Sequence, residues 1–225
     1  MGTLPFLLSF ALNVPGHQLI AALALTLVCL ACAREDAWVK GIGAIAVAYA
    51  AHCALVIAVS YANVERAAPL LPGAPAYWQR QIAWIETGAD PEYELSAWVP
   101  AHLQLLGAVV LLGFTSLGTI TFYQGFYEVD LMNFYNAQLL VASLNQPLAF
   151  ALGWHVWSVL RGLGYLFITF EVISLGLQCI SGVRLSDWAT RRRRWALGLS
   201  LLVADGLAKA AMLGPVRDQM FANLR

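Results

Sequence analysis

Charge-poor apolar stretches of membrane length recur along this chain, and they leave few folds open. A helix needs about 20 apolar residues to cross ~30 Å of hydrocarbon. Residues 17–33, 38–61, 98–122 and 136–182 meet or approach that length with few charges. Only 12% of the 225 residues are charged and 60% are hydrophobic, with a mean hydropathy of +0.68. Soluble domains carry about twice that charge fraction. The expectation is an all-α, polytopic integral membrane bundle, residues 1–225 forming one membrane domain.

Span boundaries follow from breakers and belts. Asn13-Val14-Pro15-Gly16 interrupts the first apolar segment, so residues 4–12 read as an interfacial or re-entrant piece. Spans are then expected at 17–33, 38–61, 98–122, 134–153, 162–181 and 195–213. Five spans plus a re-entrant segment is the alternative. Residues 62–97 form the one long hydrophilic connection, with four prolines and the acids Glu65, Glu86, Asp90, Glu92 and Glu94. Within it, residues 76–87 have helical amphipathic spacing, and Tyr77, Trp78 and Trp84 suit the headgroup layer. Residues 123–135, aromatic and acidic, read as a turn at the membrane surface. The aromatic cluster Trp154, His155 and Trp157, with Arg161, reads as an interfacial belt.

Orientation rests on Arg191, Arg192, Arg193 and Arg194, which belong in the cytoplasm. The 62–97 loop and both termini then lie outside. Glu128 and Asp130 fall in a cytoplasmic turn without basic company, the weakest feature of this topology. The Ala, Leu, Gly and Trp content fits a bacterial inner membrane. With 13 basic and 13 acidic residues and zero formal charge, nothing suggests a nucleic-acid partner, which would need a basic stripe.

Three groups of residues could carry chemistry. His17, His52, His102 and His155, on separate segments of the outer half, could ligate a haem or a transition metal. Interfacial histidine is also ordinary, and no HxxH, HxxxH or ExxH spacing marks a ligand pair. Glu171, Asp205 and Lys209 lie within spans, where a lone charge costs about 3 kcal/mol. Asp205 and Lys209 share a face at i, i+4, and Glu171 is the expected third member, either as a bundle-holding pair or as a proton or solute path. Cys29 and Cys32 form a CxxC, but on an apolar helix without the electropositive, exposed setting of reactive thiols. Glycine pairs, among them Gly41 and Gly43, Gly107 and Gly113, Gly162 and Gly164, and Gly198 and Gly206, read as helix-packing devices.

The stretch Phe170-Glu171-Val172-Ile173-Ser174-Leu175, with Ser181-Gly182-Val183-Arg184-Leu185 after it, resembles stage II sporulation protein M-like membrane proteins over less than a fifth of the chain. That family's His-Gly pair before the glutamate is missing here, where Ile168, Thr169 and Phe170 stand. The resemblance implies a non-catalytic partner in a membrane complex. No nucleophile motif or phosphate loop is present. The favoured expectation is therefore a non-catalytic subunit or assembly factor, contacting lipid and other membrane subunits. A metal or haem redox protein and a small-solute or proton transporter are the alternatives.

Overall fold

A computed structural model describes residues 2–89, 95–182 and 187–224, with side chains from 98 onward in the middle segment. The loop residues Asp90, Pro91, Glu92 and Glu94, and Val183, Arg184 and Leu185, lie outside the described residues. The chain is an all-α bundle: α1 Thr3–Leu12, α2 His17–Arg34, α3 Trp38–Ala62, α4 Val64–Ala67, α5 Ala74–Thr87, α6 Leu95–Thr115, α7 Thr119–Ala142, α8 Gln146–Gly153, α9 Val156–Ser181 and α10 Trp188–Asn223. Among the described residues, five helices are long and apolar enough to cross a membrane: α2, α3, α9, α10 and the Trp98–Thr115 part of α6. The protein is thus a multi-pass membrane protein.

The surface turn expected at 123–135 is not there. The chain reverses earlier, at Ser116-Leu117-Gly118. Leu117 has φ 51° and Gly118 φ 91°, a left-handed conformation that glycine adopts without steric cost. Gly118 N–H closes the turn on the Gly113 carbonyl at 2.7 Å. Residues 123–135 then lie inside α7, whose 24 residues extend about 36 Å. This helix packs against α2, α3, α5, α6 and α8. They bury one face of it, which carries Asp130, Asn133 and Asn136, and those polar residues lower its hydropathy below that of the spans.

The expected span 134–153 is likewise broken, between α7 and α8. Asn145 ends the apolar run by stitching the linker to the far end of α10. Its N–H donates to Asn223 Oδ1 at 2.8 Å, and Asn223 Nδ2 donates back to its carbonyl at 3.0 Å. Its own Oδ1 caps α8 through Leu148 N–H, as asparagine does at helix starts. The start placed at residue 162 also moves: α9 begins at Val156, so Arg161 and Gly162 sit in its second turn.

The last span is longer than 195–213. The 36 residues of α10 extend about 54 Å, much more than the ~30 Å of hydrocarbon. Asp187 caps its start, accepting from Thr190 N–H at 2.8 Å. That amide holds the exposed Asp187 carboxyl below its ordinary value. Near the other end, Arg217 donates to the carbonyls of Trp84, Ile85 and Glu86. It thereby satisfies the open C-terminus of α5. Trp84 and Ile85 are buried with Tyr135, Trp157 and Met220, so the amphipathic helix turns this face to the bundle. Close approach of α9 and α10 rests on Gly164 and Gly198: a Cβ on Gly164 would stand 2.9 Å from the Gly198 carbonyl. Gly43, Gly107 and Gly162 have open space instead.

Candidate metal centre

Two of the four histidines meet, and their meeting point is Asp130. His17 is the first residue of α2, placed by the left-handed Asn13 and Gly16 that fold α1 back. His52 lies ten residues before the end of α3 at Ala62, about 15 Å of helix. Asp130 lies midway along α7. His17 Nε2 is 2.9 Å from Asp130 Oδ2, and His52 Nε2 is 2.7 Å from Oδ1. Gln18 Nε2 donates to Oδ2 at 2.8 Å. One donor atom from each of His17, His52 and Asp130 lies within 4.8 Å of the others.

The cluster is sealed. Both imidazole side chains are 0% exposed and the carboxylate 2%. Phe6, carried by α1, sets its ring edge-on to His17 at 4.9 Å and to His52 at 5.8 Å. Phe126 meets His52 at 5.0 Å. The short helix read as interfacial therefore acts as the cover of this site.

Hydrogen bonding orients the rings. His52 Nδ1 faces the Gly2 carbonyl at 3.2 Å, which only accepts. Such a contact fixes the ring and leaves Nε2 as the ligand atom, the usual arrangement around a bound ion. His17 Nδ1 is buried without a hydrogen-bond partner. Two imidazoles and a carboxylate are a borderline donor set suited to zinc, iron, copper or nickel. Tetrahedral donors ~2.0–2.2 Å from an ion stand roughly 3.3–3.6 Å apart, wider than the 2.9 and 2.7 Å here, so the Asp130 carboxylate must draw back from both rings to admit an ion. A haem does not fit: Asp130 stands between the two ring nitrogens, where the porphyrin would have to pass.

The other two histidines lie elsewhere. His102, on α6, packs against Trp98 with centroids 4.2 Å apart and ring planes tilted by 35°, and its Nδ1 lies 2.9 Å from the Trp98 carbonyl. His155, just before α9, stacks on Trp157 at 4.5 Å. It is buried, and that burial, reinforced by Lys209 and Arg161, pushes its imidazole down to about 3. The four do not share one site.

The intramembrane charges also divide. Glu171 is not the third member of an Asp205–Lys209 group. Arg191 Nε reaches it at 3.2 Å, and Arg194 holds its other oxygen. Two of the four run arginines thus face inward from α10, while Arg192 and Arg193 are exposed. The expectation of a run wholly in the flanking loop is corrected accordingly. Asp205 is gripped by Arg161, Nε at 3.0 Å and an Nη at 3.2 Å, with His102 Nε2 at 3.9 Å. Sequence reasoning overlooked Arg161 as its partner and Asp130 as a site residue. Cys29 is buried and Cys32 half-buried on α2, both free.

No family model, no curated protein and no solved structure matches this chain.

Proposed function

We propose that this chain is a non-catalytic, metal-binding integral membrane protein of the inner membrane, its ion held by His17, His52 and Asp130. The observation that carries the reading is the convergence of three ligand-type side chains, from three helices, in a sealed interior. Intramembrane ionisable groups are costly and usually functional, and here two imidazoles converge on one carboxylate, which both hydrogen-bond. A bound ion would supply Lewis acidity or one-electron chemistry. The chain's own contribution is to fix both rings, neutralise part of the ion's charge through Asp130 and exclude water with Phe6 and Phe126. The aromatic cover leaves no place for a substrate beside the ion, which favours a resident centre over turnover. Of the α6 span only 11% is buried, and its exposed Leu103, Leu111 and Phe114 offer an apolar face to lipid or to a partner helix of a membrane complex.

Elemental analysis of protein purified from membranes without chelator tests the centre. About one equivalent of a single transition metal is expected in the wild type. It should be lost in Asp130→Asn and in the double variant His17→Ala/His52→Ala, and kept in His102→Gln and His155→Phe. Wild-type protein that stays metal-free after exposure to zinc, iron and copper would refute the reading.

A further inference from the structure

A second feature lies on the other side of α7. A cleft of about 1420 Å³ opens between α3, α6, α7 and α9, with α8 and α10 at one end. That exceeds the ~300–1,000 Å³ of pockets that take drug-sized molecules. Along α3 its wall runs from Ala46 to Tyr61, a rise of roughly 22 Å. One leaflet's share of the hydrocarbon is about 15 Å, so an acyl chain fits lengthwise.

The two ends differ. At one, the wall is made by residues such as Ala46, Ala50, Val109 and Phe122. At the other stand Arg161 and Lys209, with Trp98 and His102 beside them. Asp205, the carboxylate that grips Arg161, is buried outside the wall. Arg161 and Lys209 against that one carboxylate leave this end of the cleft net positive. Trp98 Nε1 and His102 Nε2 are buried without a hydrogen-bond partner, and an indole N–H can only donate. The wall's carboxylate, Glu128, accepts from Gln124 at 2.7 Å. It stands on α7 and repels a second anion there, which favours the Arg161 end for a headgroup.

We infer that the cleft binds an anionic phospholipid of the surrounding bilayer, headgroup at Arg161, Lys209 and Trp98, and one acyl chain along α3. The cationic groups match a phosphate as charge-assisted donors, and the apolar trough matches the chain. Neutral lipid offers the same chain without net charge at the cationic end.

Gly162 gives a clean test. It lines the cleft, and a Cβ added there meets nothing within 4 Å. Gly162→Trp should fill the trough without disturbing the helices. Gly43→Trp, at another open position on α3 that does not line the cleft, is the control. Each protein is reconstituted in vesicles of equal phosphatidylcholine and phosphatidylglycerol, extracted in mild detergent and washed. Retained lipid is then counted by mass spectrometry. About one phosphatidylglycerol per wild-type protein is expected, with phosphatidylcholine at least tenfold lower. Gly162→Trp should lower the retained phosphatidylglycerol about tenfold, Lys209→Gln should lower it severalfold, and Gly43→Trp should keep it. No retained phospholipid, equal retention of both lipids, undiminished retention in Gly162→Trp, or a stoichiometric second polypeptide in place of lipid would each overturn the inference. Metal content, measured on the same samples, reports on the separate His17, His52 and Asp130 centre.

Discussion

At the residue scale, two buried histidines show opposite solutions to the same difficulty. His52 has a partner at each nitrogen, the Gly2 carbonyl and Asp130. His155 has aromatic neighbours and an Nε2 without a hydrogen-bond partner. Its imidazole is pushed down to about 3 from 6.5. Between those values the unfolded chain takes up a proton that the folded chain refuses. Stability must therefore rise with pH across that window and fall as pH drops from about 6.5 towards 3. His155→Phe keeps a ring on Trp157 and removes the titrating group. We expect melting in detergent, followed from pH 7 to pH 4.5, to depend less steeply on pH in His155→Phe than in the wild type. Equal slopes would show that His155 is not the group responsible.

At the element scale, α9 and α10 are joined by charge as well as by Gly164 and Gly198. Glu171 is wholly buried between Arg191 and Arg194, and Arg191 also donates to Gln178 at 2.6 Å. Removing one member of a buried ion group leaves uncompensated charge, at a cost of about 3–5 kcal/mol. Glu171→Gln should therefore collapse the yield of folded protein. The triple variant Glu171→Gln/Arg191→Gln/Arg194→Met should recover part of it. If the single variant folds as well as the wild type, the cluster does not hold these helices together. The exposed Arg192 and Arg193, by contrast, should be replaceable with little effect on folding.

At the scale of the whole molecule, the helical membrane bundle was legible because lipid selects for apolar surface, and α2, α3 and the apolar part of α6 show it. The same logic hid α7. A helix wrapped by its neighbours answers to packing and hydrogen bonding rather than to lipid, so its polar residues suggested a surface turn. The available signals were Leu117-Gly118 before it, Asn145-Gln146-Pro147 after it, and Asp130 and Asn133 at one-turn spacing on a face. Two of the three residues of the candidate centre, His17 and His52, were visible in the sequence. Asp130 was not, because it reaches them across 113 and 78 residues, a pairing that single-sequence periodicity does not encode. The account turns on whether an ion joins α2, α3 and α7 at that point. X-ray absorption at the edge of the metal found in the purified protein tests this most directly. The account predicts a first shell of nitrogen and oxygen only, with the outer-shell scattering of two imidazoles, both lost in Asp130→Asn. A sulfur scatterer at about 2.3 Å, as Cys29 and Cys32 would give, or a spectrum without imidazole, would contradict it.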